Sequence, residues 1–347
     1  MKVAIIIPAI VQAGPILVMK FLTDEILKND KFIIKIFYLD KKVDPELEIS
    51  VPVERLTPGR FPFSDFDIVH TNGLRPDLFA FWNRKKIKYH ISTIHNLVFK
   101  DLSFRYPWIV SWLIANFWLF LWKRTDKLIC VSATMKDYYL RWFPETKLTV
   151  IHNGIPEKIN DRNTDNDIIQ IIDHYHSKGF TVSGVACNLN RGKGIDILLK
   201  QMAIDKDFAL VIIGSGSELS KLKEMARKLN LNDRCYFSGF KTFAVNYLKY
   251  LDLFLVPSRS EGFCLSLMEA VQQKVPVVCS DIPVFRELFN NEEVTFFNLD
   301  SIKSLSTALK TAKRTGKSKI DLAHHEYINL YTSRLMTQKY MELYQSA

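Results

Sequence analysis

The chain reads Ser258-Arg-Ser-Glu-Gly-Phe-Cys-Leu-Ser-Leu-Met-Glu-Ala-Val271 directly after an apolar run at residues 253–257. The apolar run predicts a buried strand, and residues 267–273 predict a helix. A strand, a small polar turn and a helix in this order leave free backbone N–H groups at the start of the helix. The stretch therefore predicts a site for a phosphate or another anion.

Two carboxylates belong to this stretch, Glu261 in the turn and Glu269 in the predicted helix, with seven residues between them. A carboxylate can accept two hydroxyl hydrogen bonds at once. The pair therefore suits a polyhydroxylated ligand with a phosphate between its ends, and a nucleotide sugar is such a ligand. The alternative is a surface turn with two solvated glutamates, and the neighbouring segments favour the first interpretation.

The motif from Glu261 through Phe263 and Cys264 to Glu269 resembles the signature of the retaining glycosyltransferases of family 4, which have the GT-B fold. Cys264 stands where that family usually has glycine. The resemblance implies that Glu261 contacts the sugar ring, Glu269 the ribose hydroxyls, and the N–H groups near Leu265 the diphosphate. It also implies retention by attack on the departing side, without a protein nucleophile.

The composition sets broad limits on the protein. Its 347 residues are 48% hydrophobic and 24% charged, which indicates a soluble globular protein of about two domains. The five cysteines stand singly, so we expect reduced thiols and neither disulfides nor a metal site. The net charge is +10, and residues 1–150 hold 22 Lys and Arg against 15 Asp and Glu. This excess fits an anionic membrane surface, a nucleic acid or ordinary surface lysines.

Short apolar runs alternate with helical stretches along both halves, which predicts βαβ units with parallel sheets. The apolar N-terminus, interrupted by Pro8, is interpreted as the first strand and not as a signal peptide. The predicted strands are residues 3–8, 32–39, 67–70, 89–95, 127–132, 148–152, 181–186, 208–213, 234–237, 253–256, 275–279 and 294–297. The predicted helices include residues 14–28, 75–83, 104–123, 133–142 and 321–344.

The predicted fold class is α/β, with two doubly wound, Rossmann-like domains. The family resemblance implies that they face each other across a cleft. A polar hinge at residues 157–167 separates an acceptor- and membrane-facing domain, residues 1–156, from a nucleotide-sugar-binding domain, residues 157–325. Residues 326–347 are expected to form a C-terminal helix that packs back on the first domain.

The second half contains glycine turns that follow predicted strands. A basic turn with Arg191 and Lys193 precedes a helix and suits a phosphate, although a solvated turn is the alternative. The family has an arginine five residues before the lysine, where this chain has Asn188, so Arg191 is the expected substitute. Gly214 and Phe240 match family segments beside the nucleotide and its base. The expected donor-binding residues are Gly14, Asn188, Arg191, Lys193, Gly214, Phe240, Phe263, Cys264, Leu265 and Glu269.

In the first half, polar residues end several predicted strands, where ligands gather in open α/β sheets. Gly14 precedes a helix without a GxGxxG pattern, so a dinucleotide has little support, but the glycine lets a diphosphate or sugar approach. His95 and Asn72 each end a strand. A histidine there is most often a structural donor, but the family carries one at the position of His95 that faces the donor sugar. We therefore expect His95, Glu261 and Lys193 to be catalytic.

Residues 106–122 form an apolar run of 17 residues that contains four of the six tryptophans. A membrane span needs about 17–25 residues, and predicted strands on both sides argue against one here. One interpretation is a buried core helix. The other is a helix that dips its tryptophan face into a bilayer beside basic residues, close to a lipid-linked acceptor. The expected membrane- or acceptor-facing residues are Trp108, Trp112, Trp118, Trp122, Lys123 and Arg124.

The family resemblance, together with these features, implies a retaining, metal-independent glycosyltransferase that moves a hexose or N-acetylhexosamine to a lipid-linked saccharide in surface polysaccharide (O-antigen) biosynthesis. UDP is the favoured donor nucleotide, GDP-mannose stays open, and no cofactor is expected. The expected partners are the nucleotide sugar, the lipid-linked acceptor and the inner face of the cytoplasmic membrane. The protein is expected to be cytoplasmic and peripheral on that membrane face. No nucleic acid is expected as a partner. The alternatives are a sugar-nucleotide 2-epimerase on the same fold and a non-catalytic basic protein that binds membrane or nucleic acid.

Overall fold

The computed structural model describes residues 1–57, 59–158 and 166–347. The chain divides into a first unit, Met1–Pro156 with Leu330–Ala347, and a second unit, Glu157–Asn329. Each unit is built on one parallel sheet with helices between its strands, so the predicted α/β class with two parallel-sheet domains is confirmed. Most of the hinge predicted at residues 157–167 lies outside the described residues.

The sheet of the first unit consists of β1 (Lys2–Ile7), β2 (Ile33–Tyr38), β3 (Val53–Arg55), β4 (Ile68–Asn72), β5 (Tyr89–Ile94), β6 (Lys127–Cys130) and β7 (Leu148–Val150). All neighbours are parallel, in the order β3-β2-β1-β4-β5-β6-β7. Residues 3–7 of β1 are fully buried, as expected for a strand covered by helices on both faces. Strand β3 was not predicted, because this short edge strand is exposed and lacks an apolar run.

The helices of the first unit are α1 (Gly14–Ile26), α2 (Leu74–Trp82), α3 (Val98–Ser103), α4 (Trp108–Trp122) and α5 (Ala133–Tyr139). The helix predicted at residues 104–123 begins later than expected. Pro107 caps α4 in an extended conformation with ψ 152°, so the chain turns between α3 and α4. Proline is favoured at this position because its fixed φ and its missing N–H are compatible with the start of a helix but not with its interior.

The second unit contains strands β8 (Thr181–Ala186), β9 (Phe208–Ile213), β10 (Cys235–Gly239), β11 (Leu253–Val256), β12 (Val277–Ser280) and β13 (Thr295–Phe297). They form a parallel sheet in the order β10-β9-β8-β11-β12-β13. Its helices are α6 (Asn166–Ser177), α7 (Ile195–Ile204), α8 (Leu219–Lys228), α9 (Val245–Leu248), α10 (Leu265–Gln272), α11 (Pro283–Leu288) and α12 (Ile302–Leu330). Buried residues of α7, α8, α12 and the sheet form one apolar core.

The C-terminal segment corrects a prediction. Instead of one helix over residues 321–344, α12 ends at Leu330 and α13 (Ser333–Gln345) follows. The Thr332 side chain accepts the N–H of Leu335 at 3.3 Å, which caps the new helix. Helix α13 packs against α1 within the first unit.

One buried carboxylate fixes α4 in the first unit. Asp77 of α2 is 1% exposed and accepts hydrogen bonds from the indoles of Trp118 (2.7 Å) and Trp122 (2.9 Å). It also accepts from the hydroxyls of Ser92 (2.8 Å) and Thr71 (2.5 Å). Burial raises the pKa of Asp77 despite these four donors. A carboxylate can accept about four hydrogen bonds, so these four donors use all of the acceptor sites of Asp77. The two indole bonds hold the side of α4 that carries Trp118 and Trp122 toward the inside of the first unit.

The tryptophan prediction is therefore wrong for Trp122, which has no exposed surface and cannot contact lipid. Trp118 is half-buried, whereas Trp108 and Trp112 are 76% and 54% exposed. Lys123 and Arg124 are exposed after the end of α4. None of the helices in the described residues is long and apolar enough to cross a membrane.

Candidate donor-binding site

The turn between β11 and α10 holds an ion pair in the second unit. The Lys193 ammonium lies 2.6 Å from Glu261 Oε1, and the Ser258 hydroxyl donates to the same oxygen at 2.6 Å. Burial alone would lower the pKa of Lys193, but the Glu261 carboxylate outweighs it and holds this pKa above its ordinary value. The structure thus joins two residues, predicted separately, that are 68 positions apart in the chain.

Close backbone packing brings the two loops together. Gly194, the N-cap residue of α7, has φ +69°, and a Cβ on it would lie 2.0 Å from the carbonyl oxygen of Pro257, which follows β11. Gly214 after β9 has φ +142°, and a Cβ there would lie 1.9 Å from the Cys187 carbonyl oxygen. Both positions require glycine, so these glycines act first as packing residues of the loops.

Arg259 ties the same loops together and was missed by the sequence analysis. Its guanidinium donates two hydrogen bonds to the Asp196 carboxylate, at 2.9 and 2.8 Å, and one to the Arg191 carbonyl at 2.6 Å. Its backbone N–H donates to the Gly192 carbonyl at 2.7 Å. Arg259 therefore holds the 191–196 turn, which carries Lys193, against the Glu261 loop.

Cys264 takes the position before α10 with φ +130°. This conformation favours glycine, the residue that the resembled family has here. The side chain is buried, which raises the pKa of its thiol to about 12, so the thiol stays protonated at neutral pH. Neighbouring Phe263 is buried as well, and the backbone turns at Cys264 so that the N–H groups from Leu265 onward begin the helix.

Glu269 lies in α10, one turn beyond these N–H groups. Its side chain is half-buried and has no hydrogen-bond or ion-pair partner within the described part of the chain. Burial raises the pKa of Glu269 to about 7. The group is therefore a desolvated acceptor whose charge changes near neutral pH.

The other predicted donor residues of the second unit lie on loops around this turn. Asn188 and Arg191 are exposed, and the Arg191 side chain has no partner among the described residues. Phe240 is 57% exposed after Gly239, which has φ +77°. Their assignment to the nucleotide remains a prediction.

Gly14 and His95 belong to the first unit. Gly14 is exposed in the first turn of α1. His95 follows β5, and its Nε2 lies 3.1 Å from Oδ1 of Asn72, the last residue of the neighbouring β4. Burial lowers the pKa of His95 to about 4, so the ring is neutral at neutral pH. By contrast, His70 is fully buried within β4, hydrogen-bonded to Tyr344 and Thr93, and plays no part at the strand ends.

Among the described residues, no group of three or more His, Cys, Asp and Glu side chains is arranged to hold a metal ion. Three Asp-x-Asp triplets occur in the sequence, at residues 65–67, 165–167 and 205–207. Asp67 accepts hydrogen bonds from the Lys2 N–H and from Lys88, and Asp167 pairs with Lys241. Asp165 lies outside the described residues. The sequence prediction that catalysis needs no metal is left untested by these contacts.

The chain matches two protein-family models and several known proteins. Residues 171–327 match the model "Glycosyl transferases group 1", and residues 44–158 match "Glycosyltransferase Family 4". The chain is 31% identical to the O-antigen biosynthesis glycosyltransferase WclY of Escherichia coli, over 99% of this chain and 98% of that protein.

A second relative is the Escherichia coli UDP-Gal:alpha-D-GlcNAc-diphosphoundecaprenol alpha-1,3-galactosyltransferase. It is 25% identical, over 70% of this chain and 65% of that protein. Among solved structures, Anabaena Alr3699/HepE in complex with UDP and glucose superposes with a TM-score of 0.84 over both entire chains, at 16% identity. That structural likeness shows the GT-B fold.

Proposed function

This chain belongs to the group 1 and family 4 glycosyltransferases, and we propose that it transfers a hexose or N-acetylhexosamine from a UDP-sugar to a lipid-linked saccharide in O-antigen biosynthesis. The observation that carries the proposal is the Lys193–Glu261 pair beside the start of α10. The names of two relatives support the substrates, since one acts in O-antigen biosynthesis and the other uses UDP-Gal and a diphosphoundecaprenol acceptor.

The geometry suits stabilisation of a departing diphosphate. Lys193 supplies a positive charge, and the N–H groups that begin α10 supply oriented donors, which together oppose the charge that develops on the leaving group. Both bonds to Glu261 end on Oε1, which leaves Oε2 to accept a hydroxyl of the sugar ring. We propose retention by attack on the departing side, with no covalent intermediate on the protein and no requirement for a divalent metal.

The first test measures the melting temperature with UDP, GDP, ADP and their sugars, followed by turnover with lipid-diphosphate acceptors in EDTA. UDP-sugars are expected to stabilise the protein, and Lys193→Ala and Glu261→Ala to abolish transfer while remaining folded. Lys274→Ala removes an exposed ion pair with Asp321 in the same unit and serves as the matched control. Near-normal rates in both site variants would refute the assignment.

The product then separates mechanism and reaction class. Proton NMR of the glycosidic bond reports whether the donor configuration is kept, and an inverted product contradicts retention. Incubation with UDP-sugar alone distinguishes the epimerase alternative, because only an epimerase converts the donor into a second UDP-sugar without an acceptor.

We further propose that the first unit docks on the inner face of the cytoplasmic membrane through the outer face of α4. Trp108 and Trp112 are exposed there, and Trp82 at the end of the packed helix α2 is 75% exposed. Lys123 and Arg124 follow directly and suit anionic headgroups. The exposed apolar residues of α4 are Trp108, Ile109, Val110, Trp112, Leu113, Phe117 and Phe120.

Flotation with vesicles that contain anionic lipid tests this docking. Trp108→Ser with Trp112→Ser should release the protein from vesicles, and added salt should weaken binding of the wild type because Lys123 and Arg124 contribute. Leu322→Ser changes a similarly exposed apolar side chain on α12 and is the control. A wild type that stays unbound, or a double variant that floats undiminished, would count against docking.

A further inference from the structure

The second unit has a groove along the outer edge of its sheet. Strand β13 is the last strand in the order, and in the described chain it pairs with β12 alone. The groove has a volume of about 510 Å³ and is lined by this strand, by the loops at its two ends and by helix α12. Its principal lining residues are Val294, Thr295, Phe296, Ser304, Thr307 and Thr311. None of them belongs to the candidate donor-binding site.

The outer edge of β13 presents backbone groups to this groove. The Asp281 N–H donates to the Phe297 carbonyl at 2.8 Å, so Phe297 points its backbone groups toward β12. Successive residues of a strand point these groups to opposite edges, so the N–H and C=O of Phe296 face outward. Val294 faces the same way, and its carbonyl accepts from the Lys319 ammonium at 3.3 Å. An extended chain is the ligand whose own backbone groups match such an edge.

One buried hydroxyl of the groove has no partner. Thr295 is 8% exposed, and its Oγ1 atom makes no hydrogen bond within the described residues. A buried polar group of this kind is costly and is normally satisfied by protein, water or a ligand. A hydroxyl both donates and accepts, so it suits a peptide group or a carboxylate. Water is the competing partner.

The wall that α12 forms is strongly basic. Residues 301–320 contain six Lys and Arg and no Asp or Glu. Lys303 lines the groove, and three further cations follow it at intervals of seven, four and three residues, which places them on the same side of the helix. They are Lys310, Arg314 and Lys317. By contrast, the loops at the two ends of β13 carry the carboxylates Glu292, Glu293 and Asp300. An acidic ligand is therefore favoured along the helix, and its carboxylates are expected opposite α12.

Charge and dimensions distinguish among the occupants that the groove could take. A second copy of this chain, paired edge to edge at β13, would set two basic helices side by side, which is unfavourable. A small anion only accepts hydrogen bonds, so it could not pair with both the N–H and the C=O of Phe296. From Ser304 to Thr311 the helix rises about 10 Å, which is the length of about three residues of extended chain. The groove therefore fits a short extended segment of acidic character.

We infer that this groove binds an extended acidic segment of a partner protein, which adds a strand to the sheet at β13. The backbone of the segment pairs with the N–H and C=O of Phe296, and its carboxylates face Lys303 and the cations beyond it. The Thr295 hydroxyl then has a partner. The groove lies outside the candidate donor-binding site, so the inference does not rest on the proposed function.

Binding is measured by fluorescence anisotropy with a labelled hexapeptide of alternating Glu and Val as the probe. The alternation directs every carboxylate to one face of an extended strand. One control peptide has Lys in place of Glu, and the other carries an N-methyl group on every residue, which keeps the charge but removes the backbone donors. The acidic probe should bind at least roughly tenfold more tightly than either control. No binding of the probe up to about 1 mM, or equal binding of its N-methylated form, would overturn the inference.

Two variants test the groove itself. Lys303→Glu should weaken binding of the acidic probe roughly tenfold, because repulsion replaces attraction. This side chain is exposed in the first turn of α12, where an acidic residue is tolerated, so the variant should fold. Thr295→Val replaces the buried hydroxyl with a methyl group of similar size and should weaken binding severalfold.

Lys223→Glu is the matched control, because it reverses an exposed charge on α8 outside the groove. It should bind the acidic probe as the wild type does. An equal loss in Lys223→Glu and Lys303→Glu would mean that the probe responds only to net charge, and it would overturn the inference. Wild-type affinity in both Lys303→Glu and Thr295→Val would overturn it as well.

Sedimentation velocity tests the competing occupant, a second copy of the chain. The wild type should keep the same oligomeric state with and without the acidic hexapeptide. Dissociation of a wild-type dimer by the peptide would assign the groove to a second copy and overturn the inference.

Discussion

Changing pH between 6 and 8 should alter donor affinity through one residue, Glu269. Its half-buried carboxyl has a pKa of about 7, because burial disfavours the charged form. The ionised carboxylate accepts a ribose hydroxyl on each of its oxygens through charge-assisted bonds, whereas protonation turns one oxygen into a donor, so binding should favour the deprotonated enzyme. Lys193 stays charged and His95 stays neutral over this range, since their pKa values lie above and well below it.

The size of the effect follows from the fraction of ionised Glu269. With a pKa of about 7, this fraction is roughly one tenth at pH 6 and nine tenths at pH 8. If only the ionised form binds, the dissociation constant for UDP-sugar should be about tenfold higher at pH 6 than at pH 8, or about 1.4 kcal/mol. Glu269→Gln should bind more weakly at pH 8 and lose the dependence.

The same group predicts the opposite trend for stability. The folded-state pKa of Glu269 lies above its unfolded value, so the folded protein binds more protons between the two values. The contribution of Glu269 to stability is therefore largest at acidic pH and falls as pH rises toward 7. A rising affinity and a falling stability in the same pH range would identify one buried carboxyl as the source of both.

Calorimetry with UDP-glucose is the suitable assay, because a diphosphate diester does not titrate in this range whereas the terminal phosphate of UDP does. Glu292→Gln, which changes an exposed carboxylate of the same unit, is the control. A flat affinity between pH 6 and 8 in a wild type that binds the ligand would refute the reasoning. So would an equal slope in Glu269→Gln, which would place the titrating group elsewhere.

Three further perturbations test the architecture around the site. Cys264→Gly should raise the melting temperature by a few degrees, because glycine adopts φ +130° without the backbone strain of about 1 kcal/mol that cysteine carries there. Cys264→Ala should not raise it. A melting temperature of Cys264→Gly below that of the wild type would contradict backbone strain at this position. Arg259→Met should weaken UDP-sugar binding about tenfold by loosening the Lys193 turn, and combining it with Asp196→Asn should add little, as calorimetry on the double-mutant cycle can show. Asp77→Ala should cost about 3 kcal/mol in urea unfolding because it removes the shared buried acceptor of four hydrogen bonds, and a loss under 1 kcal/mol would contradict its role.

Most of the fold could be predicted because buried parallel strands are continuous apolar runs. Where that signal is missing, prediction failed: β3 is an exposed edge strand, and the break at Thr332 depends on one side-chain cap. The cap has a sequence signature, since Thr332 precedes a helical run as an N-cap threonine does. The continuous helical spacing across this position obscured it.

The sequence of α4 also contains a pattern that indicates which face is buried, but its high tryptophan content made this pattern hard to recognise. Ser111 and Ala115 are buried at the same face as Trp118 and Trp122, at intervals of four, seven and eleven residues. Small residues at helical spacing indicate close packing against a neighbour. The acceptor for the two indoles, Asp77, could not be identified from sequence, because a single aspartate in a helix ordinarily faces solvent.

The residue types of the candidate site were predictable and their contacts were not. Lys193 and Glu261 each follow from a local motif, but the bond between them depends on the packing of loops 68 positions apart. Arg259 belongs to no phosphate-binding pattern in the sequence, and its role appears only when its fork reaches Asp196. Long-range pairing of this kind is set by the approach of Gly194 to the β11 strand end, which sequence periodicity does not encode.

The ion pair also limits how much charge the lysine can offer to a diphosphate. Lys193 and Glu261 lie 2.6 Å apart and together carry no net charge. The diphosphate of a sugar nucleotide carries two negative charges, which a neutral pair does not balance. Part of the remaining stabilisation comes from the N–H groups at the start of α10, where the helix dipole is equivalent to about half a positive charge, and the exposed Arg191 side chain is a second candidate source. Diphosphate binding should therefore depend on the backbone turn at Cys264 at least as strongly as on Lys193.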